Sequence, residues 1–381
     1  MSRRKSTAPG DCPRAVLDPP AHFHEHREAR RQQTCNEAQV RREFLKEIER
    51  WRDLLARNIA LRNPGLSVRD LNYAVSKTID RLIFLRMCED RGVETYAQLR
   101  VLLNGPRVYD RLRTLFRSAD DRYNSGLFYF QREKDRPDAP DELTPALSID
   151  DGVLKDIIKG LYYPDCPYEF SVLPAEILGQ VYEQFLGKVI RLTKGHRAVV
   201  EEKPEVKKAG GVYYTPTYIV DYIVQHTVGK LLEGRTVKWI ARDKRKKLNR
   251  PRLDRSLRVL DPACGSGSFL LGAYQYLLRW YLDYYTANDP DQWTRRPNPP
   301  IHESGGGPSS WRLSIAERKR ILLEHIFGVD IDAQAVEVTK LSLLLKVLEG
   351  ESQQTLDSQL RLFHERALPD LAANIKCGNS L

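Results

Sequence analysis

The first half of the chain repeats apolar residues at three- and four-residue steps, with charged residues between them. This spacing puts the apolar side chains on one face of a helix. Thr34 and Glu37 resemble a capping box, so we expect the first long helix to start there and to end before Pro64. The same pattern predicts further helices over four approximate ranges: 67–90, 96–103, 108–116 and 175–189.

The pattern changes after Gly210 and Gly211, where short apolar runs alternate with helical stretches. We predict two buried strands, each followed by a helix: 259–260 with 268–278, and 326–329 with 333–348. This alternation favours a parallel sheet with helices on both faces, which is the arrangement of an α/β protein. The polar segment 286–312 is rich in proline and glycine and is expected to be an inserted surface loop.

These patterns divide the chain into three parts. Residues 1–33 have no periodic pattern and are expected to form a disordered tail. Residues 34–205 are expected to form a helical connector domain, and residues 206–381 to form the α/β domain.

The composition is that of an ordinary globular protein, since 41% of the 381 residues are hydrophobic and 29% are charged. No apolar stretch reaches the roughly 18 residues of a membrane helix, and the N-terminus lacks the apolar core of a signal peptide. The six cysteines are scattered and form no C-x-x-C pair, so we expect a reduced, cytoplasmic protein without a metal site. Since no apolar stretch is long enough for a membrane helix, we expect no membrane partner. The net charge of +10 favours a polyanionic partner, with nucleic acid as the first candidate.

The strongest chemical signal is a glycine-containing loop after the first predicted strand. It reads Asp261-Pro262-Ala263-Cys264-Gly265-Ser266-Gly267-Ser268-Phe269-Leu270. It is not a P-loop, because it has no lysine, and Leu270 stands where a dinucleotide fingerprint has its third glycine. It has no G-x-S-x-G nucleophile elbow either. In doubly wound sheets, ligands bind at the carboxyl ends of the strands, where the carboxylate of Asp261 suits a cationic group such as an ammonium.

This run resembles, almost letter for letter, the first motif of amino-group DNA methyltransferases. The resemblance implies the first part of a Rossmann-like, doubly wound methyltransferase sheet with S-adenosylmethionine as its cofactor. In that family Asp261 would face the ammonium of the cofactor's methionine, and the glycine loop would cradle it. The residues so assigned to the cofactor are Asp261, Pro262, Ala263, Cys264, Gly265, Gly267 and Phe269.

The segment before the loop also matches the family. It reads Gly210-Gly211-Val212-Tyr213-Tyr214-Thr215-Pro216 and resembles the motif that precedes the glycine loop. The resemblance implies that Thr215 and Pro216 lie against the methionine carboxylate, with Tyr214 in the same cofactor site. From the residues alone, a turn and a helix start also fit, since proline favours a first helical position.

Two later motifs would complete the cofactor site. Asp330 follows a predicted strand, and by resemblance it would bind the two ribose hydroxyls while Ile331 packs on the adenine ring. Asn379 stands in a third motif, in which a polar side chain meets the adenine amine. Each motif is short, and it is their order along the chain that supports the assignment.

Methyl transfer to adenine needs one more motif, because the lone pair of N6 is delocalised into the ring. The family uses Asn/Asp-Pro-Pro-aromatic, which accepts hydrogen bonds from the amino group and stacks a ring on the flipped base. Two near matches start at Asn298 and Asp18, but they end in Ile301 and Ala21. We therefore assign no catalytic residue, and we expect a C-terminal segment or a second chain to supply this motif and a target-recognition domain.

The upstream residues are similar to large type IIG-like enzymes that fuse a nuclease, a helical connector and an adenine methyltransferase. The segments that carry this resemblance are 80–92, 123–128 and 177–187. The Asp…Glu-x-Lys site of such a nuclease is not found, since Glu205 and Lys207 have no acidic residue on a plausible strand ahead of them. The resemblance covers about residues 34–381 and implies an N-terminal or central fragment that acts on double-stranded DNA.

The stretch 235–258 contains eleven lysines and arginines and two aspartates. It fits either contact with DNA phosphates or a solvated connector.

Together, these motifs predict an S-adenosylmethionine-dependent adenine-N6 DNA methyltransferase of a restriction–modification system, of which this chain is an incomplete part. The alternative is a subunit that binds S-adenosylmethionine and DNA without turnover. A nicotinamide oxidoreductase is disfavoured by Leu270 and by the loop carboxylate.

Overall fold

The computed structural model describes residues 21–380, apart from gaps at 124–125, 134–138, 167–169, 171–178, 180, 182–186, 205–214, 241–249, 297, 304–310 and 354–366. Side chains are described from residue 39 onward, except at residue 240. The chain divides into two compact units, Met1–Glu43 and Phe44–Leu381. The described elements that carry the candidate site all belong to the second unit.

Helix α1, Ala21–Arg62, begins earlier than predicted. Thr34 lies inside it, so the predicted capping box is wrong, and so is the disordered tail for residues 21–33. The residues before Thr34 are rich in Glu, Arg, Ala and Gln, whose high helix propensity favours this extension. The predicted end before Pro64 is confirmed.

The next helices follow the predicted order. They are α2 (Val68–Asp90), α3 (Gln98–Val101), α4 (Val108–Tyr123) and α5 (Asp151–Lys159), of which α5 has no predicted counterpart. Ser67 caps α2, and its Oγ accepts a hydrogen bond from the amide of Asp70 at 3.1 Å. The helix predicted over 175–189 lies largely outside the described residues.

The part predicted to be wholly helical also contains an antiparallel hairpin, formed by β1 (Lys188–Leu192) and β2 (Ala198–Glu202). Valine and isoleucine, which favour strands, occur on both sides of a Lys-Gly turn, which is a hairpin signal that the helical reading of 34–205 overlooked. Asn72 of α2 holds this hairpin. Its Nδ2 donates to the carbonyl of Ile190 at 2.8 Å, and its Oδ1 accepts from the amide of Ile190 at 3.1 Å.

Beyond residue 215, helices and strands alternate. The helices are α6 (Thr217–Val224), α7 (Lys230–Leu232), α8 (Ser268–Ala287), α9 (Pro290–Thr294), α10 (Ile315–His325) and α11 (Ala333–Val347). The strands are β3 (Val237–Ile240), β4 (Arg250–Leu253), β5 (Val259–Asp261), β6 (Ile301–Glu303), β7 (Trp311–Leu313), β8 (Ile326–Asp330) and β9 (Ile375–Cys377). None of the described helices has both the length and the apolar character needed to cross a membrane.

Three of these strands form a parallel sheet in the order β5–β8–β9. Because β5 leads into α8 and β8 leads into α11, the chain is an α/β protein, as predicted. Leu260, however, is 61% exposed, so the prediction of a fully buried first strand is wrong. Within the described residues β5 pairs with β8 alone, and no strand on its other side supplies side chains to cover Leu260.

The segment 286–312 is not a loop throughout, as the sequence had suggested. It contains α9 and the antiparallel pair β6–β7, and both Trp293 and Ile301 are buried. Trp293 Nε1 donates to the carbonyl of Asn288 at 3.0 Å, which ties α9 to the end of α8. Elements of three to five residues carry too short a pattern to stand out in a proline-rich sequence.

Helix α2 packs on α11, the helix that follows the second strand of the parallel sheet. Lys77 Nζ forms an ion pair with Glu337, and Lys340 Nζ contacts the same carboxylate at 3.2 Å. Gln334 Nε2 donates to Ser76 Oγ at 3.3 Å. Burial favours a raised pKa for Glu337, but the two ammonium charges outweigh it and lower the pKa to about 2.

Replacing Glu337 with glutamine should therefore destabilise the protein at neutral pH, because Lys77 would remain buried without its counter-charge. A carboxylate with a lowered pKa contributes its stability above the unfolded-state pKa of 4.5 and loses it as the pH falls towards 2. Urea denaturation should thus show that Glu337→Gln has a lower free energy of unfolding than the unmodified chain at neutral pH. The difference between the two should become smaller below pH 4.5. Glu349→Gln removes an exposed partner of Lys346 and should change little. A loss that is the same above and below pH 4.5 would contradict this account.

Candidate functional site

The carboxyl ends of β5, β8 and β9 meet at one edge of the parallel sheet. Two backbone hydrogen bonds join the segments that leave these strands. The amide of Cys264 donates to the carbonyl of Val329 at 2.9 Å, and the amide of Gly378 donates to the carbonyl of Asp330 at 2.9 Å. The glycine loop, the turn after β8 and the segment after β9 therefore lie side by side, at the place where open α/β sheets bind ligands.

The carboxylate of Asp330 links two of these segments. Its Oδ2 accepts a hydrogen bond from the amide of Gly265 at 2.8 Å, and its Oδ1 accepts one from the amide of Asp332 at 2.8 Å. Hydrogen bonds to an ionised acceptor are stronger than those between neutral groups. Asp330 therefore holds the glycine loop and the turn after β8 in a fixed relation to each other.

The two glycines of the loop have different structural roles. Gly267 has a φ of +83°, and a Cβ there would lie 2.7 Å from Cγ2 of Thr339, so only glycine fits. The same Thr339 donates from Oγ1 to the carbonyl of Gly265 at 2.9 Å, which pins the loop to α11. Gly265 has a φ of +53°, but a Cβ there would meet no atom within 4 Å. The loop is thus tightly packed at Gly267 and open at Gly265, where a ligand can approach the backbone.

Gly328 is a residue of the site that the sequence reasoning missed. It lies in the middle of β8, and a Cβ there would come within 2.7 Å of Leu270 Cδ1 and 3.1 Å of Cys264 Sγ. The absence of a side chain lets the glycine loop and the start of α8 lie directly on β8. A glycine inside a strand is a recognised signal for such a close approach, and it was available in the sequence.

The surroundings of Cys264 show that the glycine loop lies in a negatively charged environment. Burial raises the pKa of its thiol to about 12, and the negative charges of Asp330 and Asp261 act in the same direction. The thiol therefore stays protonated and unreactive at neutral pH. Two carboxylates beside an open backbone make the site electronegative, which favours a cationic ligand.

The remaining predicted residues of the sheet edge are accessible. Asp261 Oδ1 accepts from the amide of Ala263 at 3.1 Å, which orients the carboxylate over the loop that follows it. Ile331 is 80% exposed, an unusual environment for such an apolar side chain. Phe269 is half-buried on the first turn of α8, and Asn379 is exposed after β9.

Helix α6 brings the earlier motif towards the same edge. It starts directly after Pro216, whose carbonyl accepts from the amide of Ile219 at 2.9 Å. Val220 packs so closely on Gly272 of α8 that a Cβ on the glycine would lie 2.5 Å from Val220 Cγ1. Since Gly272 lies in the first turns of α8, Thr215 and Pro216 are at the end of α8 that carries the glycine loop. Tyr214 lies outside the described residues.

The described part of the basic stretch 235–258 includes β3, which contacts the far end of α8. Tyr284 Oη, near the end of α8, donates to the carbonyl of Val237 in β3 at 3.4 Å. The sixteen residue-to-residue steps from Ser268 to Tyr284 correspond to about 24 Å along α8. The described part of the hairpin β3–β4 is therefore far from the glycine loop, and residues 241–249 lie outside the described part of the chain.

The near match at Asn298 leads into a strand pair, β6–β7, that is not part of the parallel sheet. Asn298 has a left-handed φ of +56° in the turn before β6, and Ile301 is fully buried in β6, which pairs with β7. The near match at Asp18 lies outside the described residues. Among the residues whose positions are described, no group of three or more His, Cys, Asp or Glu side chains could hold a metal ion.

Several known proteins are similar in sequence to this chain. Residues 240–381 match the family MmeI, DNA-methyltransferase domain. The chain is 33% identical over 338 residues to the type II restriction enzyme and methyltransferase RM.Eco57I of Escherichia coli, covering 89% of this chain and 30% of that protein. It is 26% identical over 377 residues to the putative type II restriction enzyme and methyltransferase RM.MjaORFECS2P of Methanocaldococcus jannaschii, covering 84% of this chain and 28% of that protein. It is 26% identical over 226 residues to the adenine-specific methyltransferase BrxX of Escherichia coli O9:H4 (strain HS), covering 54% of this chain and 15% of that protein.

These matches confirm the resemblance drawn from the motifs. The chain is similar in sequence to DNA methyltransferases of restriction–modification systems. Residues 240–381 match the methyltransferase domain of the MmeI family, and the match to RM.Eco57I extends the likeness over most of the chain. The chain spans less than a third of the length of the two restriction–methyltransferase relatives.

Proposed function

We propose that this chain binds S-adenosylmethionine at the carboxyl ends of β5, β8 and β9, and that it serves in the transfer of the methyl group to adenine N6 in double-stranded DNA. The observation that carries the proposal is the bridge made by Asp330 between the glycine loop and the turn after β8. This bridge leaves an open backbone at Gly265 between two carboxylates. We further propose that the sheet is the first part of a Rossmann-like, doubly wound methyltransferase fold.

The charge of the site fits this cofactor. S-adenosylmethionine carries two positive groups at its methionine end, a sulfonium and an ammonium. Asp261 and Asp330 provide the two negative charges that raise the pKa of the buried Cys264 between them. We assign Asp261 to the ammonium, because its carboxylate follows the strand end and stands over the loop.

The nucleoside end of the cofactor fits the turn after β8. Each carboxylate oxygen of Asp330 accepts one backbone amide and has further acceptor capacity for a ribose hydroxyl. The exposed side chain of Ile331 offers an apolar surface for one face of the adenine ring. Asn379 is an accessible polar group for the adenine amine, and Thr215 and Pro216 are assigned to the methionine carboxylate.

The chemistry on adenine needs groups that are absent from these 381 residues. No Asn/Asp-Pro-Pro-aromatic motif occurs in the sequence, so no residue is assigned to hold the flipped base. We propose that a further segment or a second chain supplies this motif together with the target-recognition domain. The alternative, a subunit that binds S-adenosylmethionine and DNA without turnover, is favoured only by this missing motif.

Asp261→Asn should weaken the binding of S-adenosylmethionine about tenfold or more, because the ammonium loses a charged acceptor. The measurement is isothermal titration calorimetry with the unmodified and variant chains. Asp283→Asn is the matched control, since Asp283 is an exposed aspartate on the helix that follows the loop. This variant should bind S-adenosylmethionine as tightly as the unmodified chain does. Equal affinities of Asp261→Asn and the unmodified chain would refute the role assigned to Asp261.

The proposed reaction is tested with S-adenosylmethionine labelled on its methyl group and with double-stranded DNA that contains adenine. We expect this chain alone to bind the cofactor without transfer, and we expect transfer to appear when a segment carrying the missing motif and a target-recognition domain is supplied. Transfer by this chain alone would show that another group holds the adenine. Binding without transfer even after that addition would favour the alternative, and no binding at all would overturn the proposal.

A further inference from the structure

The hairpin β1–β2 reaches the turn that follows β8. Lys203 stands directly after β2, and its amide donates to the carbonyl of Gly187 at 2.8 Å, which continues the ladder of the hairpin. Its Nζ forms an ion pair with the carboxylate of Asp332, and both side chains are half-buried. Lys203 lies outside residues 240–381, which match the methyltransferase family.

Asp332 connects this ion pair to the candidate cofactor site. Its Oδ1 accepts from the amide of Gln334 at 2.9 Å and so caps α11. Its own amide donates to Oδ1 of Asp330 at 2.8 Å. The side chain of Asp332 thus faces the hairpin while its backbone holds the carboxylate assigned to the ribose.

A buried arginine of α1 also contacts the hairpin. Arg52 of α1 is 1% exposed, and its Nη2 donates to the carbonyl of Lys188 at 2.8 Å. Burial lowers the pKa of Arg52 to about 10, and the negative charges of Glu49 and Asp332 oppose that shift. The positive charge around Asp332 therefore comes from Lys203 in direct contact and from Arg52 at longer range.

We propose that Lys203 is a positioning residue for the nucleoside end of the cofactor site, because its ion pair with Asp332 holds the turn whose amide fixes Asp330. This inference rests on the proposed function, in which Asp330 binds the ribose hydroxyls. Without Lys203, the carboxylate of Asp332 would remain two residues from that of Asp330 with no direct counter-charge. The turn would then lose the contact that ties it to the hairpin, and the amide that it presents to Asp330 would be held less firmly.

The test compares the affinities of S-adenosylmethionine and of an analogue that lacks both ribose hydroxyls, measured by calorimetry on the full chain. Lys203→Met should weaken S-adenosylmethionine binding about tenfold, since it removes a hydrogen-bonded charge pair. It should leave the affinity for the analogue nearly unchanged, so the preference for the ribose hydroxyls falls. Lys203→Arg keeps the charge and should restore most of that preference. Lys188→Met removes the other lysine ion pair of the same hairpin, with Glu49, and should leave the preference intact.

A second variant covers the case in which Lys203→Met does not fold. Asp332→Asn keeps a helix-capping side chain but removes the charge, so it should lower the same preference without unfolding α11. The double variant should be no worse than either single one, because both remove the same interaction. An unchanged preference in both single variants, or an equal loss in Lys188→Met, would overturn the positioning role while the proposed function stands. Failure of the unmodified chain to bind S-adenosylmethionine, or to prefer it over the analogue, would overturn the proposed site and this inference with it.

Discussion

The two hydrogen bonds to the carboxylate of Asp330 are the constraint that shapes the sheet edge. They require the amides of Gly265 and Asp332 to converge on one side chain, although these residues leave different strands. That convergence is possible because Gly328 has no side chain to separate the loop from β8 and because Gly267 accepts a left-handed backbone against Thr339. The open backbone at Gly265 is a consequence of this packing, and it is the place where we propose that the cofactor binds.

Most of the sheet edge could be predicted from the sequence, because its signals are local. A short apolar strand, a carboxylate, a glycine loop and a helix follow one another within about a dozen residues at Asp261, and the structure has them in that order. The elements of 286–312 were missed because they are short and lie in a proline-rich segment, whereas the hairpin β1–β2 was missed although strand-forming residues on both sides of a Lys-Gly turn signal it. Leu260 was misplaced because its exposure depends on which strands flank β5, and this is a property of the sheet rather than of the strand.

The contacts that tie the sheet edge to the rest of the chain could not be read from the sequence. Lys77 and Glu337 are 260 positions apart, and Lys203 and Asp332 are 129 apart, so no spacing rule relates them. The distribution of charge is likewise a property of the fold. A chain with a net charge of +10 places a pair of carboxylates at the candidate cofactor site and its described basic hairpin at the opposite end of α8. A net charge taken alone would have suggested a basic site.

The most direct test of this account is a crystal structure of the chain with S-adenosylhomocysteine, the product that remains after methyl transfer. We expect the two ribose hydroxyls within about 3 Å of the carboxylate oxygens of Asp330, and the amino group beside Asp261. The backbone at Gly265 should lie against the ligand, and Ile331 against one face of the adenine ring. A ligand bound at another edge of the sheet, or one whose ribose does not contact Asp330, would contradict the account.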